Sequence, residues 1–359
     1  MLMKTMKHIS LLVLAMIIVL AGCAPSEEAA MEAERAEQSN QPASSGEVKE
    51  EAQKPLQKVR VALPHTTLFD VAVPIYVAEE KGFFEEAGIQ VEKIFTKGGG
   101  DTVQSVIAGS VDIGTATGPQ SIVAAYDRGA PLKIISAQMT GFDIYWLVKA
   151  DSSYQTYKDL AGKKIGFSSV GSSTDAAVQI MNSMLEKQNL QPMEGLPVGG
   201  PPDQITAVLT GQIDAGFASA PAGVKEIEEG KLRIAIPGSD ISEYKDVAVR
   251  VNFANKEFVE QHPETVKAFL NALHNAIQWA HENKDETVEI WKKRADLKEE
   301  PAVLLKTFDF YSLQMQRLAP LDGIDLIIED AIKFDFIDDP LSEDQMKDLF
   351  DVQYAPVPN

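Results

Sequence analysis

Along most of this chain, short apolar runs alternate with stretches whose apolar residues recur every three or four positions. Val59, Val61, Ala62 and Leu63 mark a buried strand over residues 59–63. Residues 73–81 read as a helix, 82–85 as a turn and 90–95 as the next strand, which makes a β-α-β unit. Such units favour a parallel sheet covered by helices. Further strands are predicted at 132–136, 144–148, 164–167 and 247–253, with a polar linker at 151–159 and a helix at 176–185. From Pro263 onward the chain turns helical. The proline suits a first helical turn, and Val266, Phe269, Leu270, Leu273, Ile277 and Ala280 share one face. Pro301, Pro320, Pro340 and Pro356 punctuate the remaining helices.

The pattern occurs twice. Asp101 leads into an apolar helix at Val103, Val106 and Ile107, followed by Gly109-Ser110-Val111-Asp112-Ile113-Gly114-Thr115-Ala116-Thr117-Gly118-Pro119. Asp203 leads into Ile205, Val208 and Leu209, followed by Gly211-Gln212-Ile213-Asp214-Ala215-Gly216-Phe217-Ala218-Ser219-Ala220-Pro221. The two copies align without gaps at a constant offset of about 102 residues. Each reads as helix, Gly turn, short strand, small-residue loop and Pro-started helix. Two similar α/β lobes are therefore expected, with crossings near Lys149 and Arg250 and a tail returning to the first lobe. Two connections between two lobes make a hinge.

The first residues read differently. Lys4 and Lys7 precede an apolar run over 11–20, and then come Ala21, Gly22, Cys23 and Ala24. This is the layout of a secretory signal, too short to span a bilayer as a mature helix. Leu20-Ala21-Gly22-Cys23 resembles the lipobox of bacterial lipoproteins, which implies cleavage before Cys23 and lipidation of it. Cys23 is the only cysteine, which excludes an intramolecular disulfide and any multi-Cys metal site. Residues 25–58 are rich in Glu, Ala, Ser, Gln and Pro and poor in bulky apolar side chains, the composition of a disordered tether. The expected organisation is a signal peptide at 1–22, a lipidated Cys and tether at 23–58, and the first part of lobe I at 59–148. Lobe II follows at 149–250, then a return to lobe I with C-terminal helices at 251–359.

The formal net charge is −20, carried mainly by the folded body. That acidity argues against a nucleic-acid partner, which needs a basic footprint. It leaves room for a small ligand held by local groups. Catalytic chemistry is sparse: no His-Glu-x-x-His helix, no Gly-x-Ser-x-Gly elbow and no Cys nucleophile in the body. His274 and His281 lie on one helix, and His65 alone follows a strand at the expected cleft. No catalytic residue, metal or cofactor is assigned.

In open α/β sheets, ligands bind at the carboxyl ends of strands. After strand 164–167 the chain runs Ser168-Ser169-Val170-Gly171-Ser172-Ser173-Thr174 into a helix. Ser169, Gly171, Ser172, Ser173 and Thr174 are ligand candidates, because hydroxyls, amides and the helix dipole attract polar oxygens. One of these hydroxyls is also expected to cap the helix. Thr115, Thr117 and Gly118 in the first repeat, with Ser219 and Pro221 in the second, are the matching loops. Thr66, Thr67 and Phe69 follow the first strand, and Phe69, placed in a polar loop, could stack on a flat ligand. Gly99 allows close backbone approach; Asp70, Asp101 and Asp143 could recognise a ligand donor, and Asp101 is equally a helix N-cap. Phe142 sits near the hinge. Arginines mostly fall outside these loops, so an anion would rest on amides and hydroxyls.

Pro74-Ile75-Tyr76-Val77-Ala78-Glu79-Glu80-Lys81-Gly82-Phe83-Phe84-Glu85-Glu86-Ala87-Gly88-Ile89 resembles the opening of periplasmic substrate-binding proteins of the nitrate, sulfonate and taurine type. That group includes relatives that bind or build thiamine pyrimidine precursors. Segments 109–114, 159–166 and 255–270 fit the same pattern. The resemblance implies an α/β, two-lobed periplasmic-binding-protein (type II) fold with a two-crossing hinge and a helical C-terminal extension. It implies ligand loops at 66–69, 99–101, 115–118, 169–174 and 219–221. The expected protein is a monomeric lipoprotein, exported and lipid-anchored outside the cell membrane. It would capture a small organic solute (sulfonate-like, aromatic acid or pyrimidine-like) and deliver it to an ABC importer permease. A periplasmic enzyme of the pyrimidine-synthase type using His65, and a ligand-presenting sensor, stand as the alternatives.

Overall fold

The computed structural model describes residues 55–356. The expected signal peptide, Cys23 and most of the tether lie outside the described residues. The tether was expected to reach residue 58, but strand β1 (Gln57–Leu63) starts earlier. Gln57 and Lys58 are exposed and apolar pattern misses them, yet their backbones pair in parallel with Ile89 and Gln90.

Ten strands form two five-stranded sheets. The first contains β1, β2 (Ile89–Phe95), β3 (Ile113–Thr117), β4 (Leu132–Thr140) and β10 (Ala248–Asn255), in the order β2-β1-β3-β10-β4. The second contains β5 (Tyr145–Lys149), β6 (Lys164–Phe167), β7 (Glu194–Pro197), β8 (Ala215–Ala218) and β9 (Leu232–Pro237), in the order β7-β6-β8-β5-β9. The two orders are the same arrangement. In each sheet the first three strands run parallel, and the fourth position is filled by an antiparallel strand that has just crossed from the other lobe. The internal repeat falls on β3 and β8, which hold the third position of the two orders. The chain passes between sheets at 141–144 and 238–247, earlier than the crossings expected near Lys149 and Arg250. The reason is register: Tyr145 already pairs with Ala218 in the second sheet, and Ala248 already pairs with Thr140 in the first.

Helices cover both sheets. Lobe I carries α1 (Phe69–Glu80), α2 (Phe83–Glu86), α3 (Gly99–Ile107) and α4 (Pro119–Asp127), and lobe II carries α5 (Ser173–Glu186), α6 (Pro201–Thr210) and α7 (Val224–Glu228). After β10 come α8 (Lys256–Gln261), α9 (Pro263–Glu282), α10 (Lys284–Ala295), α11 (Pro301–Leu305), α12 (Ile324–Lys333) and α13 (Glu343–Leu349). This tail packs on elements of lobe I. Phe269 stacks on Phe84 at 5.8 Å, and Asp348 bonds Tyr126, Lys133 and Lys256.

Two elements differ from expectation. Helix α1 begins at Phe69, not Val73, because Phe69, Asp70 and Val71 are all buried and the helix continues through them. Pro74 inside α1 removes the N–H that would bond the Asp70 carbonyl. Gln138 Nε2 supplies the missing donor at 2.8 Å. In the second repeat, Pro221 does not start a helix. Gly223 adopts a left-handed conformation (φ 84°) and α7 begins only at Val224.

Candidate functional site

The strand ends of the two lobes meet face to face. β1 delivers Pro64 and His65, the start of α1 brings Leu68 and Val71, and β3 with the start of α3 brings Ala116, Gly118 and Gly99. From lobe II, the loop after β6 supplies Ser168, Ser172, Ser173 and Thr174, and β8 supplies Phe217. Arg250, on the returning strand β10, completes the lining. The space left between them is ≈ 20 Å³, about the volume of one water.

The closure depends on the absence of side chains at the rim. A Cβ on Gly118 would lie 2.7 Å from the Ser173 backbone nitrogen in the other lobe, and one on Gly98 would lie 2.7 Å from Ser169 Oγ. His65 also reaches across: a Cβ on Gly200 would lie 3.7 Å from its Nδ1.

The lobe II loop is locked by its own hydroxyls. Ser172 Oγ caps α5 by accepting from the Asp175 N–H at 3.2 Å, as one hydroxyl was expected to do. Thr174 Oγ1 accepts from the Ser168 N–H at 2.9 Å and lies 2.9 Å from Ser172 Oγ. The Gly171 N–H donates to Asp175 Oδ2 at 2.8 Å. Most of the hydroxyl run therefore builds the loop itself. Ser173 Oγ is different: it accepts from Arg250 Nε at 3.4 Å across the lobes.

Arg250 is 3% exposed and sits in a cluster of charges. Its Nη1 lies 2.5 Å from Asp70 Oδ2 and 2.8 Å from Asp143 Oδ1. The Tyr311 hydroxyl donates to Asp143 Oδ2 at 2.5 Å. Burial opposes the guanidinium charge, but the two carboxylates outweigh it and hold the Arg250 pKa above its ordinary value. Burial pushes Asp70 up to about 6; Arg250 pulls against this and Asp143 adds to it. Burial, then the Arg250 charge, push His65 down to about 4, so its ring is neutral near pH 7. Tyr311 is pushed well up, first by burial and then by Asp143. A second network aligns this cluster. Asn252 accepts from the Ala116 N–H at 3.3 Å and donates to Gln138 Oε1 at 2.9 Å, while Gln138 holds the Asp70 carbonyl.

Of the residues expected to contact ligand, the structure brings Gly99, Gly118, Ser172, Ser173 and Thr174 onto the cavity. Others lie away from it. Phe69 is not in a polar loop: it is 1% exposed in α1, packed among Trp291 (5.3 Å), Phe308 (4.9 Å) and Tyr311 (5.0 Å). Asp101 is exposed in the first turn of α3, whose N-cap is Gly98, so it neither caps nor faces the cleft. Thr115 and Thr117 spend their hydroxyls on the Ala62 and Thr115 carbonyls, at 3.2 and 3.1 Å. Thr66 is exposed, and its carbonyl accepts from Tyr76; Thr67 is half-buried beside it. Ser169 and Ser219 keep buried hydroxyl oxygens without a partner among the described residues, and Gly171 and Pro221 are buried near them. Phe142 packs on Tyr244 at 5.7 Å in the first crossing. It lines a larger cavity of ≈ 420 Å³ among the crossing segments and the tail, with Lys245 and Arg317.

Arg250, Leu68, Val71 and Phe217 went unassigned in the sequence. An arginine inside an otherwise apolar strand, Ala248-Val249-Arg250-Val251, was the available signal. Buried charge in an apolar run needs a partner. Among the described residues, no helix is long and apolar enough to cross a membrane, and no group of His, Cys, Asp and Glu is placed to hold a metal.

Comparison with known proteins agrees with this geometry. The aliphatic sulphonate binding protein SsuA of Escherichia coli superposes with a TM-score of 0.65 at 17% identity, covering 83% of this chain and 99% of that one. It shows the fold, that of the periplasmic binding proteins. The formylaminopyrimidine-binding protein of Halalkalibacterium halodurans is 23% identical over 69% of this chain and 74% of its own length. The 4-amino-5-hydroxymethyl-2-methylpyrimidine phosphate synthase of Schizosaccharomyces pombe is 25% identical over 57% of this chain. The match spans 60% of that relative's length. The NMT1/THI5 like family matches residues 71–287, more than half of the chain, and the chain belongs to that family.

Proposed function

We propose that this protein is the solute-binding component of an ABC importer, exported and held outside the membrane by lipid on Cys23. It captures a small organic solute between its lobes and presents the shut form to a permease. The observation that carries this reading is the meeting of the two lobes at Arg250, around a space of one water's volume that widens when the lobes part to take a solute. Strand-end loops from both lobes converge there, and only two chain crossings join the lobes. A hinge of this kind converts differential binding into a shift between open and shut forms. The bacterial relative named as a formylaminopyrimidine-binding protein supports a binding role. Thermal-shift screening of sulfonates, aromatic acids, pyrimidines and nitrate tests it: at least one class raises the melting temperature in a concentration-dependent way. A screen in which none does so counts against the reading. Release of a Cys23→Ala chain from cells into the medium tests the anchor.

A second reading follows from His65. A neutral imidazole facing the cavity, in a family with a yeast member named a synthase, fits an enzyme building a pyrimidine. Turnover abolished in His65→Ala would support it, and solute binding without turnover in the wild type would exclude it.

A further inference from the structure

The interlobe cavity has one permanently charged cation in its lining, Arg250, and that charge is already more than matched. Asp70 and Asp143 both sit against the same guanidinium nitrogen, at 2.5 and 2.8 Å, and both carboxylates are fully buried. Among the described residues, no lysine or second arginine lines the cavity, and His65 is neutral near pH 7. A ligand anion would therefore enter a buried cluster whose formal charge is already negative. The α5 N-terminus offers about half a positive charge, less than the full unit of excess carboxylate it would have to offset. A buried charge without a dedicated partner is costly.

Arg250 nevertheless has hydrogen-bonding capacity to spare. Its Nη1 serves the carboxylates and its Nε reaches Ser173, while Nη2 makes no hydrogen bond among the described residues. A guanidinium carries five N–H donors in a fixed fork, so Nη2 can donate to an acceptor that brings no charge. When the lobes part to admit a solute, Leu68, Val71 and Phe217 supply apolar wall for its body.

We propose that the Asp70–Arg250–Asp143 cluster is the charge filter of the cleft. It admits uncharged polar solutes that present a carbonyl or ring-nitrogen acceptor to Arg250, and it discriminates against carboxylates and sulfonates of the same shape. The inference rests on the reading that solute binds between the lobes. It also reverses the expectation from the hydroxyl-rich loops, which by themselves suit an anion.

The test is calorimetric titration of the full chain with isosteric pairs: nicotinamide against nicotinate, benzamide against benzoate, methanesulfonamide against methanesulfonate. At least one uncharged member binds about tenfold or more tightly than its anionic partner, the scale set by one mismatched buried charge. Asp70→Asn removes one of the two carboxylates and shrinks that ratio. Should Asp70→Asn fail to fold by circular dichroism, Asp143→Asn removes the other. Equal or tighter binding of the anions overturns the filter, as does binding of no member of any pair or a ratio unchanged in both variants. The two levels fail differently. Anion binding that compacts the chain in solution scattering removes the filter and leaves the solute-binding reading standing. That reading falls only if the chain also retains no solute from its native source in native mass spectrometry.

Discussion

The loop after β1 and the loop after β6 hold equivalent places in sheets of the same order, yet they solve different problems. After β6, the helix α5 is capped by Ser172, and the neighbouring hydroxyls bond one another. That loop is a self-contained polar unit. After β1, the helix α1 has no side-chain cap, and its first turn buries Phe69 and Asp70. Its stability comes from elsewhere: Asp70 is met by Arg250 of β10, which is itself met by Asp143 of the first crossing. One loop carries most of its order locally; the other borrows it from β10 and the first crossing. The same scaffold occurs twice; the lobe I copy takes its charged partners from outside the loop, whereas the lobe II copy meets Arg250 through Ser173 alone.

The sharpest way to break this contrast is Arg250→Met. It strands two buried carboxylates, and about 3–5 kcal/mol of stability is expected to be lost, the usual result of breaking a buried ion cluster from one side. Denaturant unfolding measures it. A loss below 1 kcal/mol would mean that the lobe I loop does not depend on the hinge.

Gly118→Ala separates closure from folding. Gly118 has ordinary backbone angles (φ −62°, ψ 129°), so alanine fits there except for its clash with Ser173 across the cleft. Solute affinity is expected to fall about tenfold or more, as the competent shut form becomes scarcer. The unfolding midpoint should hardly move. An unchanged affinity would show that the shut arrangement is not the binding one.

Ser172→Ala tests the self-contained loop. Loss of the cap should cost about 1 kcal/mol, and the effect should stay in lobe II. Hydrogen exchange reads where protection is lost, and loss spreading to α1 would contradict the contrast.

The smallest effect is a pH dependence. The folded-state pKa of His65, about 4, lies below its ordinary 6.5. Its stabilising contribution is fully present above 6.5 and is lost as the pH falls toward 4. Asp70 is raised from 3.8 to about 6, so its contribution is fully present below 3.8 and is lost as the pH rises through 6. Between these limits the two oppose each other. His65→Asn should lose about 1 kcal/mol less than wild type between pH 7 and pH 4.5, a figure reduced because the ring is only half-buried. Asp70→Asn should remove the loss at the upper end. Unfolding series at both pH values check both signs.

The fold was legible because its signals are local and repeated. The Gly-strand-Gly-Pro copies place β3 and β8, and the matching sheet orders explain why the copies align without a gap. Element ends were less legible where backbone pairing outran the apolar pattern, as at Gln57 and Lys58. On the lobe II side, the contiguous hydroxyl run marked the loop that lines the cavity, although most of its hydroxyls bond within the loop. On the lobe I side, Asp70 and Asp143 stood out as candidates, but their pairing with Arg250 was hidden. Asp70, Asp143 and Arg250 stand far apart in sequence, each inside or beside an apolar segment, and only the two crossings bring them together. Phe69 misled for the same reason: its polar neighbours suggested a loop, while its ring belongs to the aromatic cluster under the tail.

The central claim is that solute is held between lobes that shut upon it. Small-angle scattering of the full chain, recorded while nicotinamide, cytosine, benzoate and methanesulfonate are titrated in turn, tests it most directly. A solute that binds should reduce the radius of gyration of the wild type, with no such reduction in Gly118→Ala. A solute that binds to saturation and leaves the scattering of the wild type unchanged would contradict the account.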